Sequence, residues 1–283
     1  MWEKLWQEFD ALARAYAPGR APKMEGAVAR TIRWQRQGHR DFVGRKISAM
    51  DLQLPELYSG APWRHGRKRW IAFVTINPSI DVNEIFPTRA NLRKFGCASL
   101  EDVFSNRFTP GPSKTPIKHG RDGKGRAKWV RGRRDATYQR TWAEIDRALR
   151  DCLLDMTVDE RDAPLGRIAT IVDVVPWKFK AWSKVGPDIR DELLELGAPY
   201  LRGVLKAYPP AIIIAAGHAV RVLMESRYQG VPKYAPGNPQ RGRLHIGKLR
   251  VPWFGVSHPA AHADRFHSDM MLISPSICKH LRG

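Results

Sequence analysis

The sequence predicts an α/β fold, a three-layer sandwich in which a central, mostly parallel sheet of four strands is flanked by helices. Four short apolar runs, rich in β-branched residues, predict the strands at residues 70–76, 168–175, 211–216 and 251–256. Their nearly continuous hydrophobicity is typical of strands covered on both faces, as in a parallel sheet. Helical patterns separate the runs, and this alternation predicts right-handed crossovers between parallel strands.

Two helical patterns lie between the predicted strands, and in the first the residues are three or four positions apart. The first pattern consists of Tyr138, Trp142, Ile145, Leu149 and Leu153. The second consists of Ile189, Leu193, Leu196, Val204 and Leu205.

The N-terminal part of the chain has a different character. Trp2, Leu5, Trp6, Phe9 and Leu12 fall at helical spacing with charged residues between them, which predicts a packing helix and not a signal peptide. We therefore expect residues 1–65 to be an N-terminal helical elaboration and residues 66–283 to form the main α/β domain. No apolar run approaches the roughly 20 residues of a membrane span, which favours a cytoplasmic protein without a membrane partner.

The chain is strongly basic, with 48 Lys and Arg against 28 Asp and Glu and hence a formal charge of +20. A folded protein with this charge is expected to bind a polyanion. Residues 111–134 hold nine Lys or Arg, one acid and five glycines, so we interpret them as a basic insertion that orders on nucleic-acid phosphates. A second basic stretch spans residues 228–243. The alternative for the insertion is a solvated charged surface without a function.

The cysteine count argues against metal and disulfide classes. Cys97, Cys152 and Cys278 are too far apart for a CxxC motif and too few for a four-cysteine cluster. The spacing of His258, His262 and His267 across a Pro-Ala-Ala turn does not favour a three-histidine metal site. The sequence therefore predicts no metal site.

Polar residues follow or end each predicted strand, where ligands bind in open α/β sheets. They are Asn77 after the first strand, Asp173 in the second, Gly217-His218 after the third and His258 after the fourth. Each has a structural alternative: a turn before proline for Asn77, a buried ion pair or turn for Asp173, a strand-to-helix turn for His218, and a hydrogen-bonded histidine beside a proline turn for His258.

The order of these short motifs resembles that of the uracil-DNA glycosylase superfamily. TINPS, with Asn77 and Pro78, is similar to the GINPG and GMNPG motifs of the mismatch-specific and single-strand-selective branches. SHPAAHA, with His258, is similar to HPSPL or HPSPR, DVVP to the base-reading strand, and AAGHA to the WGxxA strand. The likeness spans residues 70–265 and does not cover the first 65 residues or the basic insertion.

The resemblance implies a monofunctional DNA N-glycosylase that flips a base out of the duplex and hydrolyses its N-glycosidic bond, leaving an abasic site. Asn77 would position the attacking water, and His258 would donate a hydrogen bond to base O2 as negative charge gathers on the leaving base. Phe86 would stack under the base unless it packs in the core. Ile76, within TINPS, is also predicted to contact the base. The implied reaction needs no metal or redox cofactor.

Two positions depart from the uracil-removing pattern. Asp173 stands where those enzymes carry Asn, and an ionised carboxylate only accepts hydrogen bonds, so it favours the N4 amino group of cytosine over O4 of uracil. A neutral Asp173 would instead donate to O4. Ser79 stands where the uracil enzymes place a Tyr that blocks C5 substituents. The predicted substrate is therefore a C5-modified cytosine, such as glucosylated hydroxymethylcytosine of phage DNA, with a role in antiviral defence by analogy.

The predicted partner is double-stranded DNA, and no obligate protein partner is inferred. The residues expected to contact DNA are Trp177, Lys178, Lys180, His218, His262, Arg265, Lys124, Arg126, Lys128, Arg131, Arg133 and Arg134. Two alternatives stay open: a uracil or deaminated-base repair glycosylase, and a non-catalytic basic nucleic-acid-binding protein.

Overall fold

A computed structural model describes residues 58–76, 116–121, 127–131, 140–162, 164–175, 182, 187–227, 234–235 and 237–282. Seven strands lie in these ranges: β1 (Ile71–Thr75), β2 (Pro116–Arg121), β3 (Ala127–Arg131), β4 (Ala169–Asp173), β5 (Ile212–Ala216), β6 (Gln240–Ile246) and β7 (Leu249–Val256). The helices are α1 (Arg140–Cys152), α2 (Val158–Asp162), α3 (Pro187–Ala207), α4 (His218–Arg227) and α5 (Ala263–Arg282). Short helical turns at Pro62–His65 and Pro164–Arg167 precede β1 and β4.

Five strands form one mixed sheet in the order β4-β1-β5-β7-β6. The pairs β1–β4, β1–β5 and β5–β7 are parallel, and β6 joins β7 antiparallel at the edge. The α/β class and the mostly parallel sheet are confirmed. The expected count of four strands is wrong, because β6 is a fifth.

Helices cover both faces of the sheet, each over its own apolar core. One core joins alternate residues of the parallel strands with Leu193 and Val204 of α3 and Val220 of α4. The other joins the intervening strand residues with α1, through Trp142 and Ile145, and with α5. Burial on both faces explains why the strand sequences are almost continuously apolar. The helical patterns predicted before β4 and before β5 correspond to α1 and α3.

The strand that the sequence analysis missed has a half-buried pattern. In β6 the side chains alternate between exposed Arg241, Arg243 and His245 and partly buried Gly242, Leu244 and Ile246. This alternation is typical of an antiparallel edge strand with one open face. Because of its arginines, the sequence analysis assigned part of this segment to a basic stretch and did not recognise the alternation of exposed and buried residues that indicates a strand.

The structure describes some residues of the predicted N-terminal elaboration and of the predicted basic insertion. Within the segment assigned to an N-terminal elaboration, Tyr58 is buried and Ser59 pairs with Ile171 of β4, with hydrogen bonds of 2.8 and 3.0 Å. Within the basic insertion, β2 and β3 form an antiparallel hairpin. Of these two segments, residues 1–57, 111–115, 122–126 and 132–134 lie outside the described ranges.

Candidate active site at the carboxyl ends of the strands

The strand order creates a switch point between β1 and β5. From β1 the chain crosses to β4 on one side, and it then returns to β5 on the other side of β1. Open α/β sheets bind ligands outside the carboxyl ends of the strands at such a point, because the two connections diverge and leave a crevice. Thr75 ends β1, Asp173 ends β4, Gly217 follows β5 and His258 follows β7, so four polar or loop positions share this edge.

Asp173 is held at the edge by its neighbour across the sheet. Thr75 and Asp173 are register partners in the parallel β1–β4 ladder, and the Thr75 hydroxyl donates to Asp173 Oδ1. Both side chains are buried, with Asp173 only 6% exposed. Asp173 is therefore a hydrogen-bond acceptor in this contact, with its carboxylate oriented by the strand pairing.

His258 is half-buried just beyond β7, and its ring tautomer is set by the backbone. Nδ1 accepts hydrogen bonds from the amides of Ala260 and Ala261, both at 3.2 Å. A nitrogen that accepts two N–H groups carries no proton, so the neutral ring holds its proton on Nε2. Burial, and to a smaller extent the charge of His262, lowers the pKa of His258 below its ordinary value. The side chain is thus a neutral Nε2–H donor at the edge.

Gly217 makes room for that ring. Its φ of +96° is in a region that side chains other than glycine rarely adopt. A Cβ at this position would lie 3.0 Å from Cδ2 of His258 and 3.4 Å from its Cβ. The absence of a side chain therefore lets the β5–α4 turn pack directly against the imidazole.

The residue before His258 is fixed from α5 and from the second basic stretch. The buried carboxylate of Asp269 accepts the Ser257 amide at 2.8 Å and the Tyr234 hydroxyl at 2.9 Å through the same oxygen, Oδ2. The Tyr234 hydroxyl also hydrogen-bonds to Ser257 Oγ. The Arg221 guanidinium lies 3.6 Å from the centre of the Tyr234 ring.

A row of exposed basic side chains runs along the edge strand. Arg241, Arg243 and His245 occupy alternate positions of β6, and Arg250 is the cross-strand partner of His245 on β7. Residues two apart on a strand repeat at about 6.7 Å and share one face. This face suits a chain of phosphates, and part of it belongs to the predicted stretch 228–243.

The structure describes eight of the predicted site residues, six of them with their side chains. Asp173, half-buried Ile76 and half-buried His258 lie at the carboxyl edge, and exposed His218, His262 and Arg265 surround it at the starts of α4 and α5. Lys128 and Arg131 lie in β3, where the backbone alone is described. The remaining predicted residues lie outside the described ranges: Asn77, Ser79, Phe86, Trp177, Lys178, Lys180, Lys124, Arg126, Arg133 and Arg134.

The described residues contain no cluster of three or more His, Cys, Asp or Glu side chains suited to a metal ion. His267 contacts Asp151 of α1 at 3.4 Å.

Among the described helices, none has the length and apolar character to cross a membrane. Comparison of the sequence with models of known protein families finds no match, and comparison with curated proteins finds none either.

Sequence reasoning missed Thr75, Tyr234 and Asp269 as site residues. Asp269 had a signal, because it is an acid inside the apolar stripe of α5 that includes Phe266, Met270 and Ile273. Such an acid is buried only with hydrogen-bond partners, so the pattern indicates a polar contact within the core. Thr75 and Tyr234 had no comparable signal, since their roles depend on strand register and on a contact across 23 residues of chain.

Proposed function

We propose that this protein is a DNA glycosylase that removes a C5-modified cytosine and leaves an abasic site, with a role in antiviral defence. The observation that carries the proposal is that a hydrogen-bond donor and a hydrogen-bond acceptor lie at the same edge of the sheet. His258 offers a neutral Nε2–H donor, and Asp173 offers a buried carboxylate. These groups suit the two polar sides of a cytosine ring, because O2 is an acceptor and N4–H₂ is a donor.

The arrangement supports base departure rather than mere binding. When the N-glycosidic bond breaks, negative charge develops on the base and is shared with O2. A preorganised donor aimed at the developing charge is worth about 10²- to 10³-fold in rate in other enzymes. A neutral imidazole on two backbone amides is such a donor, since its orientation costs no rearrangement during the reaction. In this mechanism Asn77 positions the attacking water.

The distance across the sheet suits an extruded nucleotide. Three strand spacings separate β4 from β7, which corresponds to about 14 Å between the ends that carry Asp173 and His258. The switch point between β1 and β5 lies within this span. A base lying across it would present O2 toward β7 and N4 toward β4.

The choice of a modified cytosine rests on Asp173 together with Ser79. A carboxylate acceptor selects N4–H₂ and disfavours O4 of uracil. Ser79 is small where a related uracil enzyme would block C5, and it belongs to the motif similar to GINPG. Removal of unmodified cytosine would damage the host genome, so a substituent at C5 is the required mark.

Affinity for duplex DNA would come from the basic surfaces. The β6 row of Arg241 and Arg243 and the hairpin of β2 and β3 in the basic insertion are the expected phosphate contacts. These contacts would supply sequence-independent binding that falls with salt. Selectivity would lie in the flipped-base pocket.

The test is base release from matched duplexes that contain cytosine, hydroxymethylcytosine, glucosylated hydroxymethylcytosine or uracil at one position. Abasic sites are detected by strand scission in alkali, and the released base is identified by mass spectrometry. We expect release of the C5-modified cytosine by the wild type and release slowed by roughly 10²- to 10³-fold in His258→Ala, with a loss of rate in Asn77→Ala as well. His280→Ala, at the far end of α5, is the matched control. Release of uracil alone would favour the repair alternative, and binding without release from any duplex would favour the non-catalytic alternative.

A further inference from the structure

Asp269 is a charged side chain in an apolar environment. It is 1% exposed and lies on α5 between Phe266 and Met270, both fully buried in the core under the sheet. A buried carboxylate persists only where hydrogen bonds replace its water. Its Oδ2 receives two of them, from the Ser257 amide and from the Tyr234 hydroxyl.

The proton arrangement in this network is determined. The single phenolic hydrogen of Tyr234 goes to Asp269, so in the contact between the two hydroxyls Ser257 donates to Tyr234. Burial raises the pKa of Tyr234; the hydrogen bond with Ser257 lowers it and the one with Asp269 raises it, and the net direction is upward, which keeps the phenol protonated. Ser257 is thus held at its amide and at its hydroxyl.

Tyr234 is also held from its ring face. The Arg221 guanidinium stacks on it, and Cγ of Arg221 would lie 3.1 Å from a Cβ at Gly255. Gly255 therefore allows the arginine stem to pack against β7. The result is a continuous set of contacts from α4 through Tyr234 to α5, which closes around the end of β7.

Ser257 immediately precedes His258. The loop after it is hydrogen-bonded within itself, through the Ala260 and Ala261 amides to Nδ1 and the His262 amide to the His258 carbonyl at 2.9 Å. Those bonds fix the ring relative to its loop. The bonds of Asp269 and Tyr234 fix the start of the loop relative to the helices on both faces of the sheet.

We propose that Asp269 and Tyr234 are positioning residues that hold His258 toward the base. This inference rests on the proposed glycosylase function for its kinetic consequence. The position of the His258 ring that these contacts set does not depend on any substrate. Neither residue contacts the base in this account, because Asp269 is fully buried and reaches the site through Ser257.

The kinetic test uses Asp269→Asn and Tyr234→Phe with enzyme in excess over a duplex that holds the C5-modified cytosine. We expect the cleavage rate of bound DNA to fall by roughly 10- to 100-fold, as when groups that orient a functional imidazole are removed. DNA affinity should stay within about twofold. Asp146→Asn, a buried aspartate paired with Arg150 on α1, and Tyr208→Phe, stacked on Trp63, are matched controls without an expected rate effect.

The structural test is ¹⁵N NMR of the His258 ring, which requires no substrate. In the wild type the ring should show the Nε2–H tautomer in a single environment. Both variants should keep that tautomer, because the Ala260 and Ala261 amides still donate to Nδ1, but their ring resonances should shift or broaden, because the loop loses its fixed position beside Gly217. In the background of His258→Ala, the two substitutions should add nothing further to the loss of rate. If no duplex is cleaved by the wild type, the proposed function fails, and the His258 ring resonances alone decide the positioning role.

Two results would overturn the inference. One is an unchanged set of His258 ring resonances together with an unchanged cleavage rate in folded Asp269→Asn and Tyr234→Phe. The other is a rate loss that multiplies fully with that of His258→Ala, since this would show that the two residues act independently of the imidazole. Should Asp269→Asn fail to fold, Tyr234→Phe, which keeps the ring and its stacking on Arg221, carries both measurements.

Discussion

Gly217 lies against the ring of His258, so close that a Cβ on the glycine would be 3.0 Å from Cδ2 of the imidazole. The two residues follow β5 and β7, which are neighbours in the sheet. The positive φ of Gly217 turns the chain into α4 directly beneath the ring. The position of the histidine thus depends on a glycine 41 residues earlier in the chain.

Gly217→Ala is expected to displace His258 as well as to strain the backbone. Placing an L side chain in the left-handed region costs roughly 1–2 kcal/mol of stability. The new methyl group would also push the imidazole out of line, so we expect at least a tenfold loss of cleavage rate. The measurements are thermal unfolding and single-turnover base release.

Gly247→Ala is the matched control for that substitution. Gly247 has a φ of +60°, but no atom lies within 4 Å of the position of its Cβ. It should lose stability and retain its cleavage rate. Equal rates for the two variants would contradict a contact role for Gly217.

Asp173→Asn is expected to shift the substrate preference toward uracil. The amide gains a donor for O4 and keeps an acceptor for N3–H, whereas the carboxylate only accepts. We expect the ratio of uracil release to modified-cytosine release to rise by at least tenfold, as measured by competition between the two duplexes.

Thr75→Val tests how the Asp173 carboxylate is held without changing Asp173 itself. It removes the hydroxyl that donates to Asp173 and keeps the β-branched shape of the strand residue. We expect slower release with an unchanged preference for cytosine.

A loss of all activity by Asp173→Asn, with native unfolding behaviour and no gain on uracil, would count against a base-reading role.

The pH dependence should reflect a neutral histidine. Since the pKa of His258 is lowered from 6.5, mainly by burial, the ring stays uncharged when the pH falls through 6.5. Single-turnover rates with excess enzyme should therefore stay level from pH 7.5 to about 6.5 and fall only below that range. A rate that rises as the pH falls through 6.5 would indicate a charged imidazolium donor and contradict the mechanism.

The same pKa shift affects stability. Below pH 6.5 the unfolded chain binds a proton on this histidine more readily than the folded protein does, so unfolding becomes easier as the pH falls. The contribution of His258 to the free energy of unfolding is fully present above pH 6.5 and is lost as the pH falls from 6.5 through the lowered pKa of the folded protein. In thermal melts between pH 8 and 5, the wild type should therefore lose more stability toward the acidic end than His258→Ala does.

The basic row on β6 predicts salt-dependent binding. Arg241→Ala and Arg243→Ala should each weaken binding to every duplex to a similar extent and reduce the slope of log K against log salt by about 1. Lys279→Ala, exposed near the far end of α5, should leave the slope unchanged. Fluorescence anisotropy at several salt concentrations measures this, and equal slopes for all variants would exclude the row as a phosphate contact.

The sequence predicted the parallel strands because burial on both faces leaves an unmistakable apolar run, as in Ile212–Ala216. It predicted Asp173 and His258 as edge residues because parallel strands end at a common edge. It could not predict β6, whose exposed arginines resemble a solvated loop. The contact of Thr75 with Asp173 depends on register, and the contact of Tyr234 with Asp269 depends on the packing of α5, neither of which a local pattern specifies.

Mass spectrometry of bases released from phage DNA is the most direct measurement of the central claim. The DNA should carry C5-modified cytosine, and matched DNA with unmodified cytosine or uracil should be treated in parallel. We predict release of the modified cytosine base by the wild type and release slowed by roughly 10²- to 10³-fold in His258→Ala. Release of uracil alone, with the modified cytosine left intact, would contradict the proposal.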